Sequence, residues 1–161
     1  MAQSSHTGQT LSSPTLAEIA SAVRVLDGEP VQRVRELMNT IFQQAAGGPP
    51  SLDWSDPECW IDARLSDELQ ALARRIWEGS DKTLNPRHLY AQISFIGRLR
   101  LLDPVAGIYR IGERGRRFLS GDEAILRELV ALRSSRRRQV RASSAISAEE
   151  DSAPSAPDQQ A

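Results

Sequence analysis

From Leu16 onward, apolar side chains recur every three or four positions. Leu16, Ile19, Ala20, Val23 and Leu26 form one stripe, with Ser13 as the expected cap, Pro14 at the first helical position and Asp27-Gly28 as the stop. Pro30 opens a second stripe, Val31, Val34, Leu37, Met38, Ile41 and Phe42, which Gly47-Gly48-Pro49-Pro50 ends. The pattern is irregular from Leu52 to Leu65. There Asp56-Pro57 reads as a cap and start, Trp54 and Trp60 as core plugs, and Cys59 as a small buried hydrophobe. Ser66 is the expected cap of a helix lined by Leu69, Leu72, Ala73, Ile76 and Trp77 and closed by Gly79. Asn85-Pro86 starts the next, with Leu89, Ile93, Ile96 and Leu99 on one face.

Beyond Leu99 the period drops from about 3.6 to about 2. Arg100–Asp103 is an extended run, Pro104–Gly107 are turn residues, and Gly107–Ile111 alternates as strands do. A last helix is predicted from Asp122 to about Arg138, carrying Ile125, Leu126, Leu129, Val130 and Leu132. Two closely joined helices followed by a hairpin predict a mainly α, winged helix-turn-helix protein with a small β-hairpin wing and disordered termini. The expected divisions are a disordered leader (1–12), an N-terminal helical pair (13–50) and a winged-helix domain (51–121). A C-terminal helix with a basic run (122–141) and a disordered acidic Ala/Ser/Pro tail (142–161) complete the chain.

A chain of 161 residues suits one domain. The longest apolar run is Leu129–Leu132, so neither a membrane span nor a signal-peptide core is expected, and the lone Cys59 fits a cytoplasmic setting. His6 and His88 are the only histidines, which leaves no donor set for a His/Cys zinc site. Lys82 is the only lysine. Nothing around it resembles a phosphate-binding glycine loop, and Ser80 stands where a restriction-type nuclease would carry an acid. No Gly-x-Ser-x-Gly elbow accompanies His88. The chain is therefore expected to be no enzyme and to use neither cofactor nor metal.

A net charge of −1 conceals a segregation. Residues 1–84 hold seven basic and twelve acidic side chains, residues 85–142 hold thirteen arginines against five acids, and residues 143–161 hold four acids and no base. Within the arginine-rich segment, a regular helix from Pro86 would place Arg87, Ala91, Ser94 and Arg98 opposite the apolar face, with Tyr90 alongside. Long cations spaced by small residues suit a helix approaching the floor of a major groove. An ordinary solvent face is the alternative, but residues 85–102 contain no acid. Arg87 and Arg98 are the candidates for groove or base contacts and Arg110 and Arg116, in or beside the wing, for backbone contacts; Arg100 and Arg114 adjoin them as further DNA-binding candidates. His88 borders the core as a packing residue, and Arg136-Arg137-Arg138 and Arg141 form a run beyond the fold proper.

The stretch from Trp54 to Tyr90 followed by "LLDPVAGIYRIGERGRRFLSGD" resembles the N-terminal region of Mrr-like restriction endonucleases. The resemblance covers about residues 30–122 and rests on Trp54–Pro57, Asn85–His88 and the series Gly107, Tyr109, Ile111, Gly115, Phe118 and Leu119. Gly112 stands where that pattern carries threonine. The resemblance implies a winged helix that targets double-stranded DNA, without the nuclease domain. A stand-alone regulator, an orphaned remnant and a subunit with a separately encoded nuclease all remain open, as does self-association into a dimer. The rival class is a protein–protein adaptor or transcription-regulatory winged helix, with the acidic first two helices as a partner surface.

Overall fold

Thr15 fixes the start of the first helix. Its hydroxyl accepts from the Glu18 amide (3.2 Å), and its own amide donates to the Glu18 carboxylate (2.6 Å), a reciprocal capping box. In this computed structural model, which describes residues 13–47 and 53–150, seven α-helices and a two-stranded antiparallel sheet follow one another. They are α1 (Leu16–Leu26), α2 (Val31–Gly47), α3 (Pro57–Arg64), α4 (Asp67–Gly79), α5 (Leu89–Leu99), β1 (Leu102–Val105), β2 (Ile108–Ile111), α6 (Glu113–Leu119) and α7 (Glu123–Glu150). A 3₁₀ turn, Pro86–His88, leads directly into α5. The protein is thus mainly helical.

The core is built on α1, whose Ile19, Ala22, Val23 and Leu26 are fully buried against α4 and α5. Leu72, Ala73 and Ile76 of α4 and Leu89, Phe95, Ile96 and Leu99 of α5 complete it. At about 1.5–3 kcal/mol for each large apolar side chain buried, this three-helix contact outweighs any single surface interaction in the chain. Trp60 is fully buried and Trp54 tilts against it with ring centroids 5.3 Å apart, so both plug the core as expected.

The hairpin turns on Ala106 (φ 49°) and Gly107 (φ 77°). Both being left-handed matches the right-handed twist of the strands. On the other side of β2, the segment joining α1 to α2 adds strand-like pairing. The Gly28 amide donates to the Tyr109 carbonyl (2.8 Å), the Tyr109 amide to Glu29 (3.0 Å) and the Val31 amide to Gly107 (2.9 Å), with Pro30 bridging Ile108. In sequence, Asp27–Pro30 reads only as a stop and a start, because a strand of this length carries no alternation.

Gly115 explains why α6 can lie against the chain entering β1. A Cβ there would overlap the backbone carbonyl oxygen of Leu101, so only glycine permits the approach. At Gly112, the first residue before α6, the Asp103 carboxylate fills the space that a side chain would need.

Several expectations are corrected. The α1 cap is Thr15 and not Ser13, because Thr15 stands three residues before the Glu18 that completes the box. Ser66 makes no side-chain cap bond, as Asp67 takes a left-handed conformation (φ 51°) that turns the chain at that point. Cys59 is exposed, its thiol 3.1 Å from the Asp56 carboxylate. The buried residues of this short helix are Pro57, Trp60 and Ile61. The last helix does not end near Arg138 but continues to Glu150, so residues 142–150, expected to be disordered, are helical. The leader 1–12, the segment 48–52 and residues 151–161 lie outside the described residues.

Candidate nucleic-acid interface

In sequence, Leu89, Ile93, Ile96 and Leu99 form the apolar stripe of α5. The observed buried residues are Leu89, Gln92, Phe95, Ile96 and Leu99, with Ile93 half-buried, a rotation of roughly 40° at 100° per residue. The cause is α7, which packs on α5 and covers Phe95, bringing the Arg136 guanidinium 5.9 Å from the Phe95 ring centre. The outward face accordingly consists of Tyr90 (72% exposed), half-buried Ser94, Gly97 and Arg98. Gly97 has open space where a side chain would stand.

Arg98 and Arg100 are exposed, and no carboxylate pairs with either among the described residues. Arg100 also closes α5 in the left-handed conformation (φ 54°, ψ 48°), a position at which glycine is the ordinary residue. Its amide donates to Gly97 (3.2 Å), and that of Leu101 to Ile96 (3.0 Å), which seals the helix end. Asp67, Asp81, Lys82 and Ala106 share the left-handed region, so at Arg100 the conformation marks a helix end and assigns the residue no role by itself.

Arg87 does not join this face. It lies in the 3₁₀ turn, half-buried, with its guanidinium 5.8 Å from the Trp54 ring centre and beside Met38, Ile41 and Phe42 of α2. The turn forms because the Asn85 side chain caps the Arg87 amide (3.0 Å) while its amide nitrogen donates to the Trp54 carbonyl (3.1 Å). Arg114 is likewise occupied: its Nε donates to the Leu99 carbonyl (2.8 Å) and its Nη2 to Glu128 (2.6 Å), tying α6 to the end of α5 and to α7. The sequence offered no signal for either, since both partners are distant along the chain. His88 lies at the surface with only part of its ring covered, and that partial desolvation, then the Arg87 charge, hold its imidazole below the ordinary histidine range.

Arg110, exposed on β2, and Arg116 of α6 share a cleft with Asp27, Ile111, Leu119 and Ser120. Arg116 donates to the Ile111 carbonyl (3.2 Å), and Asp27 accepts the Ile111 amide (3.0 Å). Of the eight arginines and neighbours singled out in sequence, the structure gathers Tyr90, Ser94 and Arg98 on one helix face with Arg100 at its end. It sets Arg110 and Arg116 together at the strand–α6 junction. Arg136 is missing from that set in sequence but stands against α5 through Phe95.

Among the described residues, no group of three His, Cys, Asp or Glu side chains is placed to hold a metal ion, and no helix is long and apolar enough to cross a membrane. Comparison with protein-family models, with curated proteins and with solved structures finds no match for this chain.

Proposed function

We propose that the protein is a non-catalytic, double-stranded-DNA-binding module of winged-helix type, with α5 as the helix that enters the major groove. The observation that carries this reading is the outward face of α5: Tyr90, Ser94, Gly97 and Arg98, free of acids and ending on the unpaired Arg100. A glycine and a serine let the helix approach base edges, and arginine at its end offers a bidentate fork for guanine or phosphate. The order helix, pairing segment, helix pair, hairpin supports the winged-helix part, as does β2 bonded on one side to β1 and on the other to residues 28–31. On this reading Arg110 and Arg116 meet the sugar-phosphate backbone, and the resemblance to the N-terminal region of Mrr-like restriction endonucleases is one of DNA targeting.

Fluorescence anisotropy with a random duplex at several salt concentrations tests it. Replacing both Arg98 and Arg100 by alanine is expected to lower the slope of log K against log salt by about two units if both meet phosphates. A base-contacting arginine would instead cost on the order of 1–3 kcal/mol on a preferred sequence. Wild-type affinity and slope in the double variant, with the fold intact by circular dichroism, would overturn the assignment.

An adaptor role is the second reading, and Phe42 favours it. This side chain is 77% exposed and flanks a groove of about 330 Å³ formed with Met38, Ala45, Ala46, Pro86 and Arg87. Phe42→Ser separates the two readings: DNA binding survives it if α5 is the interface, whereas a partner held in the α2 groove is lost.

A further inference from the structure

The N-terminal part of α7 carries two apolar stripes, and the body of the protein buries only one of them. Ile125 and Leu129 are buried and Leu132 partly so, which accounts for the contacts with α5 and α6. Beside them, Leu126 is half-buried and Val130 is 60% exposed, lining a shallow groove with Glu123 and Arg127. The second stripe runs Glu123, Leu126, Val130, Arg133, at spacings of three, four and three, the register of positions that meet a partner helix across a coiled-coil seam. Arg133 has no carboxylate partner among the described residues, and Glu123, at the helix start, is exposed and unpaired.

This stripe is complementary to itself when reversed. In an antiparallel pair with its two-fold axis at residue 128, Leu126 of one chain faces Val130 of the other, and Glu123 faces Arg133; the same two contacts repeat on the other side of the axis. Both apolar positions are then covered and Glu123 is matched with Arg133, while Arg127, at the groove edge, donates to the Glu123 carbonyl of its own helix (3.3 Å); the antiparallel helix dipoles add to the attraction. In a parallel arrangement, like residues would meet: Glu123 on Glu123 and Arg133 on Arg133.

We propose that the occupant of this stripe is a second copy of the same chain, and that the protein forms a two-fold dimer through antiparallel α7 helices. The proposal does not rest on the DNA reading. The contact spans about three turns per chain, which places it below the roughly 1,200 Å² of strong specific interfaces, so a dissociation constant in the micromolar range is expected.

Sedimentation velocity of the full chain across the micromolar range tests it. Glu123→Arg alone and Arg133→Glu alone each juxtapose like charges and are expected to raise the dissociation constant by about tenfold or more, while the double reversal restores it. Val130→Lys is expected to give a monomer with an unchanged circular dichroism spectrum. A wild-type chain that stays monomeric at high micromolar concentration overturns the proposal. So does a dimer that ignores the single reversals, or one that is lost in Phe42→Ser and kept in Val130→Lys.

Discussion

In the α1–α4 half, Arg33 ends on Glu68 (2.6 Å), Arg75 on Glu29 (2.9 Å), and Lys82 on Glu58 (2.8 Å), while Arg74 reaches Asp62, Glu58 and Glu78. In the half from α5 to α7, Arg98, Arg100, Arg110 and Arg133 meet no carboxylate among the described residues; Arg114 and Arg117 do, with Glu128 and Asp122. The first half is acidic in composition and pairs four of its seven cations with carboxylates, leaving Arg24, Arg35 and Arg64 without one among the described residues. The second has too few acids to do so and presents arginine to solvent. The difference teaches that the near-zero net charge describes neither surface, and that the cationic field belongs to α5, its end and the neighbouring α7.

The largest expected effect breaks the second half structurally. Gly115→Ala forces α6 away from the Leu101 carbonyl and is expected to destabilise the fold by about 2–3 kcal/mol or more, as a shift of the urea midpoint. An unchanged midpoint would mean that α6 does not lie against the strand entry as described. Such a variant is also expected to disturb Arg114 and with it the end of α5.

The contrast itself is sharpened by removing cations from the other half. Arg33→Ala with Arg75→Ala is expected to cost about 1 kcal/mol in total, since both pairs are partly solvent-screened, and to leave DNA affinity unchanged. A loss of affinity comparable to that of the Arg98/Arg100 double variant would show that the two halves act as one electrostatic surface.

Arg100→Gly divides stability from binding at a single residue. Relief of the left-handed conformation is expected to raise stability by up to about 1 kcal/mol in thermal unfolding. The same change is expected to reduce the salt slope of DNA binding by about one unit. A variant that gains stability without losing slope would take Arg100 out of the DNA-binding surface.

The smallest effect concerns acid. Hydrogen bonds from Lys82 and then Trp77 hold the Glu58 carboxyl below the ordinary carboxylate range, those from Arg74 and Gln70 lower Asp62, and that from Arg117 lowers Asp122. In each case the unfolded chain takes up its proton at higher pH than the folded one. The stabilisation is therefore complete above the ordinary carboxylate range and declines as the pH falls through it toward the lowered folded values. Replacing Arg74 by methionine is expected to flatten the Asp62 part of this decline in urea titrations at successive pH values.

The sequence alone determined α1 to α5, the hairpin and the segregation of charge, since each depends on near neighbours, but it showed neither α6 nor the reach of α7 to Glu150. Cap-and-proline pairs such as Asp56-Pro57 and Asn85-Pro86, the stripe Leu72-Ala73-Ile76, and the change of period after Leu99 are local signals with local causes. The resemblance pattern also picked out Gly115 and Phe118, whose part proves to be packing: one allows a close approach and the other is buried. What only the tertiary structure decided is which face of each element is covered. Phe95 is buried because a helix beginning at Glu123 lies on it, and that contact turns the outward face of α5 and draws Arg136 to its side. Arg87 is drawn to Trp54, Arg114 to Leu99 and Glu128, and residues 28–31 to β2 by partners far along the chain. Periodicity records how a segment alternates between buried and exposed; it carries no record of which distant segment does the burying.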